Sequence, residues 1–456
     1  MRPIAVLAFF AFAAFPSRLA GPASPEPPAL RVGSDAVDLE ADDSMVIAGG
    51  IGPGRAEGQE GKLRCVATAI EGPGPGGSGR TRLAIVACDI LMLARDYTDA
   101  AARRIESELG IPFENVLVSS THTHHAPSTV TVHGYARDEK FCAAVRDGIV
   151  EAAKRALARL EAPGSESRLL FRLGEESSVG RNSRLLLSDG TIYWTGDRSD
   201  AVRPTGPFDP ELPVLAFRSA RGYEAVLFNH STHCIGAVSP GKRSPGFYGM
   251  AAQDLEAELG CKVTFVSGAF GSTHNLDLAP REMVHRVREA VREALRAARP
   301  LPVAELRCAK RPFAYRVRKF DEEAEDAAVS AYVKKRLGGS PDYVVGVFRK
   351  MRSELAPHQG EERETWIQAL RIGEIAWVAL PGEAFTKIGV EIKRRSPFRY
   401  TYVAGVANDY IGYIPDERAF ELGGYQVWTG FHSFVEKGTG EALVEAAVAL
   451  LEEIQR

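Results

Sequence analysis

The feature that most constrains this chain is a recurring order: a short apolar run, a loop of polar and aromatic residues, then an amphipathic helix. "NVLVSS" leads into "THTHHAP", "YEAVLFN" into "HSTH", "CKVTFVS" into "GAFGSTHN", "EIAWVAL" into "PGEAF" and "YTYVAG" into "VANDYIGY". The runs have strand length and are bounded by turn residues. Residues 95–110, about 138–161, 247–260, 281–299 and 439–455 place apolar residues at helical spacing, the first of them ending at Gly110. Alternating strand and helix predicts an α/β fold, with a layered mixed β-sheet core flanked by helices. "LRCVATAIE" and "TRLAIVACDIL" read as two further strands around the flexible turn 72–79. Residues 320–370 read as charged amphipathic helices broken at "LGGSPDYVVG". The polar clusters all follow apolar runs, where sites built on sheets usually form.

The chain has 456 residues, 45% hydrophobic and 25% charged, with net charge −3. That balance belongs to a globular protein, and no basic excess calls for nucleic acid. Arg2 precedes an apolar run from Pro3 to Pro16, and small residues follow around Ala20 to Ser24. The run is shorter than the ~20 residues a membrane span needs and fits a secretory signal peptide. The expectation is a signal peptide and leader at 1–24, a Pro-rich stretch through 32, one domain over 33–456, and export to a periplasmic or extracellular space. The six cysteines (Cys65, Cys88, Cys142, Cys234, Cys261 and Cys308) are widely spaced, and several lie in apolar runs such as "LAIVAC". They read as buried free thiols, although an exported chain permits disulfides.

Seven of the ten histidines fall in four short stretches: His122, His124 and His125; His133; His230 and His233; and His274. In extended chain His122 and His124 share a face. Imidazole is a common zinc ligand, and two such clusters meeting at a sheet edge make a nitrogen-rich site. Glu383 in "LPGEAF" supplies a carboxylate after a strand, and two histidines with a glutamate and an open position is a catalytic zinc pattern. An isolated His-x-His is more often an ordinary polar loop, so the weight lies on the combination. His285, His358 and His432 read as surface or packing residues.

Set side by side, these stretches resemble the neutral (alkaline, non-lysosomal) ceramidases. "SSTHTHHAPST" is similar to that family's Thr-His-Thr-His-Ser-Gly-Pro segment. "VGSDAVDLEADDSMVIAGG", "CDILML", "LFNHSTHC", "ALPGEAF" and "AGVANDYIGYIPDERAFELGGYQVW" resemble further family segments in the same order, over nearly all of 33–455. The resemblance implies a zinc ion held by His122, His233, Glu383 and Tyr413. It implies a substrate-facing His124 that stabilises developing charge, and a substrate-contacting Tyr425. The bottom-up alternatives stand beside it: Tyr413 and Tyr425 as packed aromatics, Glu383 as a helix N-terminal carboxylate.

The departures bear on the substrate. The family's Gly-Asp/Asn-x-Ser-Pro-Asn segment is here "FGSTHNLD". Thr273 or Ser272 approximates its serine, and His274 replaces the next residue. "HAPS" stands for the family's Ser-Gly-Pro-Gly, which adds His125. The family's C-terminal β-sandwich domain and a hydrophobic docking loop have no counterpart in the expected domain. Arg181 and Arg184 in "GRNSR" lie near a family Asn-Arg segment without a firm register. Asp89 is a candidate to orient a ligand histidine. The surplus of His124, His125, His230 and His274 leaves a second metal open.

The implied chemistry is metal-assisted amide hydrolysis: zinc lowers the pKa of a bound water toward ~7, and a tyrosine or His124 stabilises the oxyanion. Three readings follow. One is an exported zinc amidase acting on ceramide or another N-acyl lipid, with transient contact at a membrane surface. The next is a zinc hydrolase on the same scaffold acting on a non-lipid amide or ester. The last is a non-catalytic binding protein. Acyl chain, head group and oligomeric state are not legible.

Overall fold

The computed structural model describes residues 30–456 except 276 and 339–340. The expected signal peptide and leader lie outside the described residues.

One topology is used three times. In the first unit β1 (Leu30–Asp38), β2 (Arg64–Pro73) and β3 (Arg80–Cys88) form an antiparallel meander. Helix α1 (Arg95–Leu109) then crosses over to β4 (Val116–Ser120), which lies parallel to β3, and α2 (Glu139–Glu161) closes the unit. The second unit repeats this with β5 (Glu166–Glu175), β6 (Glu211–Ser219), β7 (Gly222–His230), α3 (Gly246–Leu259), parallel β8 (Lys262–Ser267) and α4 (Pro280–Ala297). The third begins with β9 (Leu306–Arg316), inserts α5 (Glu322–Arg336) and α6 (Pro341–Leu355), and resumes with β10 (Glu362–Ile372) and β11 (Ile375–Ala379). Helix α7 (Thr386–Arg395) leads to parallel β12 (Tyr400–Ala404); short α8 (Glu417–Leu422) and closing α9 (Thr439–Gln455) follow.

The first two units join edge to edge through antiparallel β1 and β5, giving the order β8-β7-β6-β5-β1-β2-β3-β4; the third keeps its own four-stranded sheet. The two sheets bury a common core. Val32, Ile85, Leu117, Phe217, Leu227 and Val266 of one meet Leu370, Ile375, Trp377 and Tyr402 of the other. Helices cover the outer faces, α1 and α2 over the first unit, α3 and α4 over the second, and α7 and α9 over the third. The α/β expectation of a mixed sheet flanked by helices therefore holds, with layers in the order helix, sheet, sheet, helix. Helix α1 stops where expected, since Gly110 takes the left-handed conformation at its C-terminus.

One expectation is corrected. Residues 362–370 do not continue the charged helices; they form β10, paired with β9 on one side and β11 on the other. "ETWIQALRI" is rich in β-branched and aromatic residues, and two flanking strands offer hydrogen bonds an isolated helix cannot match. All six cysteines are free thiols. Cys65 and Cys88 face each other across β2 and β3, with Sγ atoms 3.4 Å apart. Among the described residues no helix is long and apolar enough to cross a membrane.

The fourth strands of the three units converge. The Gly405 amide donates to the Ser267 carbonyl (2.8 Å), and the Ser120 amide to the Val406 carbonyl (3.2 Å). Buried Ser119 and Ser267 each donate a hydroxyl to the Gly405 carbonyl, at 3.1 and 3.0 Å. A Cβ on Gly405 would lie 2.3 Å from the Gly268 carbonyl oxygen, so only glycine permits this approach. Gly405→Ala is expected to lower stability by roughly 1–3 kcal/mol through overpacking. A reduced urea midpoint on the purified variant checks this; an unchanged midpoint would show that the strand ends can separate at no cost.

Candidate active site

Loops that leave the third and fourth strands of the units carry the site residues. His122 and His124 follow β4, His233 follows β7, Glu383 follows β11, and Tyr410 and Tyr413 follow β12. Glu383 and Tyr413 sit side by side in a short parallel bridge. Gly382 allows it, because a Cβ there would lie 2.3 Å from the Gly412 carbonyl oxygen. His122 holds a left-handed backbone (φ 59°), uncommon outside glycine.

Each imidazole of the cluster is tied at Nδ1 to a backbone carbonyl. His122 Nδ1 lies 2.9 Å from the Leu91 oxygen, and His124 Nδ1 3.2 Å from the Gly49 oxygen. His233 Nδ1 lies 3.1 Å from the Phe270 oxygen and 3.0 Å from the Thr273 oxygen. A carbonyl only accepts, so each Nδ1 is the N–H, and in the neutral ring each Nε2 keeps its lone pair. These histidines lie with ligand atoms within 4.8 Å of one another. The Nε2 atoms of His122 and His124 are buried without a hydrogen-bond partner. Glu383 Oε2 lies 3.0 Å from His233 Nε2 and 3.4 Å from His122 Nε2.

Lone pairs that face a carboxylate repel it unless a cation stands among them. Neutral imidazoles anchored by the far nitrogen, with an ionised carboxylate beside them, form a donor set that fits a divalent metal ion. Burial favours neutral His124 and His233, holding both below their ordinary value. Burial pushes the Glu383 carboxyl up, and positive charge at the His122 and His233 rings would hold it well below the usual carboxylate range; with both rings neutral, that charge falls to the cation. The Tyr413 hydroxyl lies 3.2 Å from His233 Nε2, and the Tyr410 hydroxyl donates to Glu383 Oε1 at 2.9 Å. Burial raises both phenols well above their ordinary value, so both keep their protons.

The residues expected at the site are thus brought together: His122, His124, His233, Glu383 and Tyr413. Tyr425 lies one ring further out, 5.9 Å from Tyr413 between ring centroids. Thr273 is fully buried. Its hydroxyl donates to the Ser231 carbonyl at 2.6 Å, and its own carbonyl holds His233. Neighbouring Ser272 bonds Thr386 through its hydroxyl. His274 stacks on His233 at 4.0 Å.

Other expectations separate. His125 accepts the Gly236 N–H and His230 bonds Tyr248 and the Glu176 carbonyl, so neither joins the cluster. Asp89 does not orient a ligand histidine. It accepts the Arg64 amide, and the Leu91 carbonyl holds His122 instead. His285 and His358 are exposed, and His432 packs against Tyr425. Arg184 is buried and anchors the Tyr425 turn through Gln426 and the Gly423 carbonyl. Sequence reading passed over Tyr410, although it is the first tyrosine of the quoted Asn-x-Tyr-x-x-Tyr segment. It also passed over the backbone carbonyls, for which no side-chain signal exists.

No protein-family model and no curated protein sequence matches this chain. Solved structures do. The crystal structure of neutral ceramidase from Pseudomonas aeruginosa matches with a TM-score of 0.70 at 22% identity, over 94% of this chain and 75% of that one. A ceramidase complexed with C2 matches with a TM-score of 0.70 at 21% identity, over 94% of this chain and 76% of that one. The chain therefore has the ceramidase fold.

Stability should record the buried histidines. Burial pushes His133 down to about 4 from 6.5, and His124, His233, His274 and His432 are also lowered. Between those values the unfolded chain binds more protons than the folded one, so stability is full above about 6.5 and is lost as pH falls toward 4. A shift of that size at His133 alone is worth on the order of 3 kcal/mol. Urea midpoints of chelator-treated protein at pH 7.5 and pH 5 should fall with the lower pH; equal midpoints would contradict burial of neutral rings.

Proposed function

We propose that this chain is an exported, zinc-dependent hydrolase that cleaves the amide bond of an N-acyl lipid of the ceramide class. The observation that carries the reading is the convergence of the His122, His124 and His233 Nε2 lone pairs with the Glu383 carboxylate in the interior of the ceramidase fold. In this reading His122, His233, Glu383 and Tyr413 hold the metal, and His124 sits close enough to serve as a ligand or to face the substrate. A zinc ion so held supplies a Lewis acid and a water acidified toward about pKa 7.

The chain's own groups account for the rest. The Leu91, Gly49, Phe270 and Thr273 carbonyls keep each imidazole in one tautomer and orientation. Tyr410 holds the second oxygen of Glu383 in place. Protonated Tyr425 is the donor available to the carbonyl oxygen as it gains charge, because neutral His124 commits its one N–H to the Gly49 carbonyl. Thr273 acts through its carbonyl on His233, as a positioning residue rather than a nucleophile. That suits a scheme in which water attacks.

A cavity of about 800 Å³ lies between α5, the segment 189–192 and residues 420–428. Ile192, Tyr332, Phe420, Val427 and Trp428 give it apolar walls, but neither the metal-cluster residues nor Tyr425 lines it. Its cations are already paired: Lys335 and Arg336 with Asp189, and Arg318 with the Val427 and Ser433 carbonyls.

The test is release of fatty acid from a fluorescent N-acylsphingosine by the purified mature chain, with metal measured on the same sample. One zinc per chain and chelator-sensitive release are expected. His122→Ala should lose the metal and lower kcat/KM at least about 10³-fold, the scale of losing an essential catalytic group. One zinc per chain without release would move the substrate to the non-lipid amides; full metal content in His122→Ala would remove the metal site.

A further inference from the structure

Outside the metal cluster, a second histidine pair is built around one phenol. Tyr425 opens a short helical turn whose entry, Gly424, has φ 95°. Its ring is clamped between Trp194 (centroids 4.6 Å apart, 4° between planes) and His432 (4.8 Å, 20°). The His432 Nε2–H donates to the Tyr425 backbone carbonyl at 3.1 Å. The phenol hydroxyl has its partner in His133, whose Nε2 lies 3.1 Å away.

His133 is held with unusual firmness. It is 5% exposed and sits in the left-handed region at φ 49°. A Val132–Tyr135 bridge encloses it, and its carbonyl accepts the Gly52 amide at 2.9 Å. A strained non-glycine backbone persists only where its surroundings over-determine it, and such positions gather at working sites.

The ring's two nitrogens differ. His133 Nδ1 is buried without a hydrogen-bond partner, and Phe348 packs against both His133 and His432. Buried N–H groups left without an acceptor are rarer than unused lone pairs. With the proton on Nε2 the idle Nδ1 is a lone pair, and the donor left over is the phenol O–H, which can rotate toward a ligand as a fixed ring N–H cannot. An Nε2–H at 3.1 Å from the phenol oxygen is a donor, so the phenol must direct its own proton elsewhere.

We propose that His133 is a positioning residue: its Nε2–H donates to the Tyr425 hydroxyl oxygen and thereby turns the phenolic proton outward, as a donor to the carbonyl oxygen of the bound amide. This rests on the reading of Tyr425 as substrate-facing. Burial raises the Tyr425 phenol well above its ordinary value, so the proton is there to be given.

Two measurements test it. In ¹⁵N-histidine-labelled full chain loaded with zinc, long-range ¹H–¹⁵N spectra at pH 7.5, with His133 assigned by the loss of its signals in His133→Gln, should show the Nε2–H tautomer. An Nδ1–H tautomer would overturn the proposal. This readout needs no substrate, so it stands even if no N-acyl amide is hydrolysed, a result that would sink the proposed function alone. The second measurement is kinetic. His133→Asn tolerates the left-handed backbone but is too short to reach the phenol. Its kcat should fall about 10–100-fold, below the full loss of an oxyanion donor, with KM and zinc content near those of the parent. His133→Gln, which reaches and donates, should recover most of that loss. The double variant His133→Asn/Tyr425→Phe should be no slower than Tyr425→Phe. Multiplied losses in the double variant, or equal losses in the Asn and Gln variants, would mean that His133 acts through packing and not through the phenol.

Discussion

The site depends on the close meeting of three strand ends. Ser119, Ser267 and Gly405 end or follow the parallel fourth strands of the three units, and they share hydrogen bonds across a contact with no room for a side chain at Gly405. A buried backbone junction of this kind leaves little freedom, because every amide and carbonyl must be paired. The loop after β4 starts from this fixed point, and the neighbouring loops after β7 and β11 bring His233 and Glu383 from the other two units to meet His122 at atomic contact.

That convergence explains the electrostatics. A carboxylate among imidazoles would ordinarily share a proton with one of them. Here each imidazole spends its proton on a carbonyl, at Leu91, Gly49, or Phe270 and Thr273. The protein thus holds lone pairs together without hydrogens between them, an arrangement that a cation relieves. Tyr410 occupies the other oxygen of Glu383. A second layer around Tyr425 uses the same device: His432 donates to a backbone carbonyl, and Trp194 and Arg184 hold the turn.

Much of this was legible beforehand. The apolar runs before "THTHH", "HSTH" and "PGEAF" are strands because each is short, apolar and bounded by turns. The helices at 95–109 and 439–455 show clear helical periodicity. The strand at 362–372 was not legible, since its charges alternate with apolar residues in a way that also suits a helix; pairing on both edges decided it. Strands β1, β5, β6 and β9 were passed over too, and with them the threefold use of one topology. That repeat lies in strand order and direction, which no local periodicity records. His432 read as a surface or packing residue, and His133 gave no sign of its partner, because His133 and Tyr425 stand 292 positions apart.

By itself the sequence determined which residues could do chemistry and where each sits relative to its own strand: histidines after β4 and β7, a glutamate after β11, tyrosines after β12. Local physics suffices for that, because strand ends, turns and helix caps are set by neighbours a few residues away. The tertiary structure alone decided which of those residues share a site. It joined His122, His124, His233 and Glu383, sent His125 and His230 to other partners, gave Asp89 to Arg64, and enclosed Tyr425 between His133 and His432. Those choices turn on how two sheets pack face to face. That packing is settled by the fit of many distant side chains at once, not by any single stretch of chain.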